Sequence, residues 1–464
     1  MNRYLFTTLP SNDLGLLTRS LPIARELRQR GHQIAFCSPA KAPRTLISEA
    51  DFENLFPSLL PYHIISGNTG PESLFRLLRS GHLLRDTSIL FSLLRHASQA
   101  STAEIIDIDH FMSLFGMWNE DIVRANVEAL VELFDTFKPD AIVDFWNPFA
   151  CIAARVSRIP LVTIIQADMH PQSQGFIWWK QMPSGLYTSP IQATNSVLAD
   201  YHLPGVQKMG ELLIGDLTLV LGIPETDPLP KSANVTYIGP VLWQRQAEKL
   251  PDWVHDLSRD QPLIWLYPGN IQYFPGSSTA YDSAVVLQAC IEALGDEDMQ
   301  VILTSGHHSL PRRFNPLPSN FRHEPYVPGL AMAEKSDLLI HHGGYGSCQT
   351  GLYTGRPALI IPTYSERESN ARRIAAQGAG EYVLPRSDGT GRKKRVSAEE
   401  VRAKVFNLLA DASFSENAKR ISKEMSAYGG APEAARLIEK FIQAGEGSPH
   451  TGRKLRSAPT RFGI

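Results

Sequence analysis

The chain opens on an apolar run at 4–9, a polar, glycine-containing loop at 10–15, and then apolar residues at Leu17, Leu21, Ala24 and Leu27. A spacing of three to four places those residues on one face of a helix, and Gly31 in Arg30-Gly31-His32 is its expected C-cap. The apolar run 33–37 follows as a second strand, so the start is a strand–helix–strand unit and its sheet is parallel and doubly wound. From Phe52 to Phe134 the pattern is mainly helical and irregular. A second unit follows, with strands at 141–144 and 161–165 around a helix at 149–158. The interval 229–262 is richer in proline and charge and reads as a linker. A fresh α/β series then runs through strands at 262–267, 300–304, 338–340 and 358–361 to helices at 398–410 and 414–443. This pattern predicts an α/β fold of two Rossmann-like domains facing across a cleft: residues 1–240, residues 241–444 with a last helix free to cross back to the first domain, and a disordered tail at 445–464.

A chain of 464 residues, 43% hydrophobic and 20% charged, is long and apolar enough for two cores. A net charge of -2 excludes a general nucleic-acid binder, which needs a concentrated positive field. Cys37, Cys151, Cys290 and Cys348 stand far apart with no metal-ligand spacing, so they are expected to be reduced thiols and no metal site is expected. There is no secretory pattern at the start and no run near the ~18 apolar residues of a membrane span. A soluble, cytoplasmic protein is expected, and the sequence leaves its oligomeric state open.

The strongest chemical signal begins after the strand at 338–340. Gly343, Gly344 and Gly346 free the backbone to approach a ligand, Ser347 adds a hydroxyl, and a helix starting near Ser347 offers unpaired N–H groups. A diphosphate fits such a seat, and His342 would add a donor. A glycine-rich turn alone would equally serve a tight strand-to-helix connection. The longer pattern favours the ligand seat: Tyr326-Val327-Pro328-Gly329, His342-Gly343-Gly344-Tyr345-Gly346-Ser347, Gly355-Arg356-Pro357, Glu366-Arg367 and Asn370-Ala371 occur in that order. This series resembles the C-terminal signature of the family 1 glycosyltransferases, the nucleotide-sugar-dependent enzymes of the GT-B fold, and among them the bacterial macrolide and natural-product type. The resemblance implies that Tyr326 stacks on the base, the Val327 backbone touches its edge, His342 and Ser347 bind the phosphates, and Glu366 holds sugar hydroxyls. Three positions depart from it: Thr350 stands where many members have a ribose-binding Glu, Gly329 replaces a Gln, and Arg367 replaces the Gln of the acidic-Gln pair. Gly269 and Asn270, after the strand at 262–267, would meet the donor phosphates or simply form a turn.

The resemblance extends to the first helix and its Arg30-Gly31-His32 ending. Inverting transfer needs a base for the acceptor proton, which the family supplies as a His after a Gly at the start of that helix. Counting back from Arg30-Gly31-His32 puts Gly15-Leu16 there, with Gly15 on the donor side. Leu16 cannot accept a proton. Asp144 matches the usual partner of the base. Asp13 is the candidate substitute, set against the ordinary role of such an Asp as a helix cap or turn former. His170 is a second candidate on the acceptor side. Phe176, Trp178 and Trp179 would line an apolar acceptor pocket, cap the core, or touch a membrane surface. The leading expectation is an inverting glycosyltransferase, using a UDP- or dTDP-sugar as co-substrate, a small hydrophobic acceptor and no further cofactor. The alternatives are a catalytically impaired GT-B protein that binds nucleotide sugar or activates a partner enzyme, and, third, a sugar-nucleotide epimerase.

Overall fold

The computed structural model describes residues 1–11, 14–56, 87, 91, 105–176, 187–245, 248–269, 283–306, 309–362, 365–387 and 394–446. Asp13, Asn270, Trp178, Trp179 and the part of the predicted tail beyond 446 lie outside the described residues.

Two parallel sheets organise the chain. The first takes β1 (Arg3–Thr8), β2 (Gln33–Cys37), β3 (Glu53–Asn54), β4 (Ala141–Phe145), β5 (Leu161–Ile165), β6 (Leu217–Leu221) and β7 (Thr236–Gly239), in the order β3-β2-β1-β4-β5-β6-β7. The second takes β8 (Leu263–Tyr267), β9 (Gln300–Thr304), β10 (Phe321–Glu324), β11 (Leu338–His341), β12 (Ala358–Ile360) and β13 (Gly380–Tyr382), in the order β10-β9-β8-β11-β12-β13. Every residue of β4 and β5 is buried, as expected of parallel strands covered by helices on both faces. In each sheet the order reverses once, between β1 and β4 and between β8 and β11. The crevice beyond the carboxyl ends of those paired strands is where such folds take ligands.

The helices of the first domain are α1 (Leu14–Gln29), α2 (Lys41–Glu49), α3 (Ile108–Ser113), α4 (Glu120–Phe137), α5 (Pro148–Ser157) and α6 (Ile191–Asp200). Those of the second are α7 (Ser283–Leu294), α8 (Gly329–Lys335), α9 (Tyr345–Tyr353), α10 (Ser365–Ala376), α11 (Ala398–Ala410) and α12 (Ala412–Met425), followed by α13 (Gly430–Glu446). Local chemistry sets several ends. Asn119 accepts from Ile122 N at the start of α4, and Asn147 from Ala150 N at the start of α5, with Pro148 in the first turn.

Two sequence expectations need correction. The linker does not begin at 229, because Thr236–Gly239 is the edge strand of the first sheet, paired with β6. Four residues amid proline and charge are too short to show a strand period. The helix predicted at 414–443 is two helices, α12 and α13, parted at Gly429 and Gly430; a Cβ on Gly430 would meet Pro240 O at 2.7 Å. The break turns the chain back onto the first domain. Ala434, Ala435, Ile438 and Ile442 of α13 are buried in that domain's core, and Glu439 pairs with Arg30 and His32 at 2.8 Å each.

Because α13 closes a core it does not precede in sequence, truncating its anchor should loosen that core. Ile438→Ala is expected to cost about 2–5 kcal/mol, read as a lower urea midpoint by circular dichroism; an unchanged midpoint would show that α13 is dispensable there.

Candidate functional site

The glycine loop lies at the reversal point of the second sheet, where His341 of β11 pairs with Tyr267 of β8. From His341 the chain passes through His342, Gly343 and Gly344 into α9. Gly344 is the N-cap, so the first-turn N–H groups meet no capping side chain. The loop is packed tightly from below. A Cβ on Gly343, at φ +87°, would meet Arg367 O at 2.8 Å, and one on Gly344 would meet His342 Nε2 at 2.6 Å. Above Gly346 a Cβ would meet nothing within 4 Å. The backbone is thus buttressed on one side and open on the other.

His342 sits against Gly269, where a Cβ would come within 3.1 Å of its Cγ, and edge-on to Tyr267 at 5.4 Å between ring centroids. Burial drives its pKa well below the ordinary histidine value, and the charge of Arg367 and the neighbouring His341 add to the effect. The ring is therefore neutral, and its Nδ1 has no hydrogen-bond partner. His341, pushed down to about 3 by burial, accepts from Gly343 N at 3.1 Å and pins the turn. Positive potential at the loop comes from Arg367 and the start of α9, not from an imidazolium.

Two further parts of the motif meet here. In α10, Asn370 Nδ2 donates to Gly343 O at 2.9 Å and to Glu366 Oε1 at 2.8 Å, which ties the acidic residue to the glycine loop. Thr350 spends its hydroxyl on Gly346 O of its own helix at 2.9 Å. Tyr326 donates to Glu248 Oε2 at 2.8 Å, and the Arg245 guanidinium lies 5.7 Å from its ring centroid. These three, with Trp243, Gly329 and Leu330, line a cavity of about 140 Å³. Val327 beside them is buried. A Cβ on Gly329 would meet the Trp265 indole at 3.1 Å, so that indole fills the space a longer side chain would need.

Across the boundary, Asp144 at the end of β4 is fully buried. It accepts from Thr7 Oγ1 at 2.5 Å, Asn147 N at 3.0 Å and Cys151 Sγ at 3.3 Å. Burial raises its pKa to about 7 against the pull of these donors. The turn between Asp144 and Asn147 holds Trp146 at φ +65°, a strained backbone for a bulky residue. Leu16, after Gly15 in the first turn of α1, is packed into the core at 4% exposure. His170 is also buried, and its Nδ1 accepts from Gln172 N at 3.2 Å. Its Nδ1 lone pair is thus engaged by that backbone N–H. Phe176 is packed against the first domain's core.

The pattern along the chain gave no sign of the polar cluster between the domains: Asp168, Asp227, Tyr345, Gln349 and Arg373, all buried. Its members come from four separate segments, the turn after β5, the loop after β6, α9 and α10, and only Tyr345 stands at a position of the motif. Among the described residues no group of three or more His, Cys, Asp or Glu is placed to hold a metal ion, and no helix is long and apolar enough to cross a membrane. All four cysteines are buried and none is in a disulfide.

Comparison with known proteins matches this geometry. Residues 288–441 match the family described as erythromycin biosynthesis protein CIII-like, C-terminal domain. The chain is 28% identical over 350 residues to a PGL/p-HBAD biosynthesis glycosyltransferase of Mycobacterium tuberculosis, covering 69% of this chain and 76% of the relative. Among solved structures, the glycosyltransferase VinC in complex with dTDP superposes with a TM-score of 0.63 at 18% identity, covering 96% of this chain and 100% of that one. Spinosyn rhamnosyltransferase SpnG complexed with spinosyn aglycone does so with a TM-score of 0.63 at 16% identity, covering 95% and 100%. At these identities the structures establish the fold, and the sequence relatives carry the activity. The chain is a glycosyltransferase of the GT-B fold, and its C-terminal part is similar to the enzymes of macrolide and natural-product biosynthesis.

Proposed function

We propose that the protein transfers a sugar, with inversion, from a dTDP- or UDP-sugar to a small hydrophobic acceptor. The observation that carries this is the glycine loop: a backbone packed hard against His342 and Arg367 on one side, open over Gly346 on the other, at the uncapped start of α9. As the acceptor oxygen attacks the anomeric carbon, charge builds on the departing diphosphate. Fixed N–H dipoles stabilise that charge without reorganising. VinC with dTDP and SpnG with its aglycone support donor and acceptor classes of this kind.

The acceptor proton needs a base, and Asp13 is the residue we assign to it, with Asp144 as a buried support. Leu16, packed where the family's His would stand, favours a second reading: a chain that binds nucleotide sugar without turning it over. Incubating the purified chain with dTDP- and UDP-sugars and a panel of apolar acceptors separates the two. A new glycoside supports transfer, loss of single-turnover rate in Asp13→Ala supports the base, and nucleotide binding with no transfer or hydrolysis favours the second reading.

Gly346→Val should leave the melting temperature of the free chain unchanged, since its Cβ meets nothing. It should weaken dTDP or UDP binding about tenfold or more, roughly 1.4 kcal/mol, by calorimetry. Unaltered affinity would place the diphosphate elsewhere.

Asp144 also gives a pH signature. Its folded value of about 7 lies above its ordinary 3.8, so the folded chain binds this proton more tightly than the unfolded one. Its contribution to stability is therefore greatest at low pH and declines as pH rises through about 4 to 7. Asp144→Asn removes the titration, so its stability relative to the native chain should improve steadily across that window. Thermal melts at each pH check this, and a pH-independent difference would show an acid ionised throughout.

A further inference from the structure

Helix α10 has two working ends. Near its start, Glu366 and Asn370 lie one turn apart, and Asn370 holds the glycine loop through Gly343 O at 2.9 Å. Three residues further on, the same helical stripe reaches Arg373, whose guanidinium leaves its own domain altogether. Its Nη2 donates to Asp168 Oδ1, and its Nη1 stands 3.7 Å from Asp227 Oδ1. Asp168 lies in the short turn after β5, two residues before His170. Asp227 lies in the loop after β6. One helix thus links the donor loop to two loops at the carboxyl end of the opposite sheet.

Helix α9 makes a parallel link. Tyr345 Oη is 2.8 Å from Leu221 O and 3.0 Å from Asp227 Oδ1, and Gln349 Nε2 is 3.4 Å from Asp227 Oδ2. The phenol shares its one proton between these two acceptors. Burial raises the Asp227 pKa to about 7 against the pull of its donors. Arg19 of α1 faces the same cluster, 5.3 Å from the Tyr345 ring centroid.

The cluster is poorly built for stability alone. Arg373 is 7% exposed, Asp168 2% and Asp227 1%, yet Arg373 Nε and Nη1, Asp168 Oδ2 and Gln349 Oε1 have no hydrogen-bond partner. Buried ion pairs seldom repay their desolvation, and half-satisfied ones do so least. What a directional pair across a boundary does supply is register, because a displacement of a few ångströms strands both charges.

We propose that Arg373 is a positioning residue that fixes the register between the two domains through Asp168 and Asp227, and so sets how the donor loop faces the acceptor side. This rests on the proposed transfer across the boundary. Its effect on the domains themselves does not.

The test uses the full chain with spin labels on cysteines introduced at Asp135 of α4 and Glu416 of α12, both exposed, while the four native cysteines are buried. Arg373→Lys keeps the charge and loses the planar fork. Asp168→Asn keeps the shape and loses the charge. Neither strands two acids in the interior, as Arg373→Ala would. Both variants should broaden the interdomain distance distribution at least twofold by pulsed electron resonance, while the dissociation constant for dTDP or UDP stays within threefold. With a transferable acceptor in hand, kcat should fall tenfold or more at a donor KM within threefold. Native distance distributions in both variants would overturn the proposal, as would nucleotide affinity falling tenfold with the distances unchanged. The distance measurement needs no turnover. A native chain that transfers nothing would therefore count against the proposed function and leave this inference standing.

Discussion

The His342 imidazole fits where it does because Gly269 and Gly344 have no side chains. A Cβ on either would press into the ring, at 3.1 Å from Cγ and 2.6 Å from Nε2. Much of the glycine loop depends on that clearance. The ring can be fully buried only if it is neutral, and its neutrality leaves Arg367 and the first turn of α9 as the sources of positive potential. Burial of His341 next to it fixes the tautomer that receives Gly343 N-H, and Asn370 takes hold of the oxygen of the same residue. The loop is held at one glycine by a histidine from below and an asparagine from the side. Its outer face remains free. Preorganisation of this kind asks nothing of the ligand in reorganisation energy.

Sheet topology then decides what that loop faces. Both sheets reverse their strand order once, and both reversals carry the conspicuous polar groups: His341 and Tyr267 in the second domain, Asp144 and Thr7 in the first. Helix α9 reaches the loop after β6 from its first residue, Tyr345, and from Gln349, while α10 reaches the loops after β5 and β6 from Arg373 near its end. The last helix α13 returns to the first core. The two domains are joined by covalent linker, by packing and by a polar cluster, three connections of very different stiffness. The polar cluster is directional, and it joins the Glu439 pairs with Arg30 and His32 in favouring one relative orientation.

Much of the fold was legible in the sequence because local patterns carried it. The apolar runs at 33–37, 161–165 and 300–304 match strands residue for residue, since a buried parallel strand needs nothing beyond a short apolar run. Strand β6 is equally apolar and is absent from the sequence expectation. Strands β7, β10 and β13 have three or four residues each, too few to express a period, and they exist because a neighbouring strand offers them partners. The glycine loop was legible because clearance is a property of residue type. The interdomain cluster was not: Arg373 and Asp168 are 205 positions apart, and nothing in either neighbourhood marks a buried ion pair. The consequence of Gly329 was hidden for the same reason, since Trp265 lies on a different strand.

Asp144 is built into its surroundings independently of position 16. An acid that depended on a histidine for its charge would be stranded beside a leucine, and a stranded buried carboxylate costs several kcal/mol. Asp144 is not stranded. Thr7 on the neighbouring strand, Asn147 at the cap of α5 and Cys151 one turn into that helix all donate to it. Asn147 in turn caps the helix and bonds to Thr8 O, so the acid is part of the turn that starts α5. Trp146 is held in a left-handed conformation at the same turn, a strain the turn tolerates while Asn147 N reaches the carboxylate. Asp144 therefore has a structural reason to be present whatever stands at position 16, and its presence alone does not argue for a base beside it. A proton acceptor for the proposed transfer therefore has to be sought in another group, and the candidate the sequence offers, Asp13, lies outside the described residues.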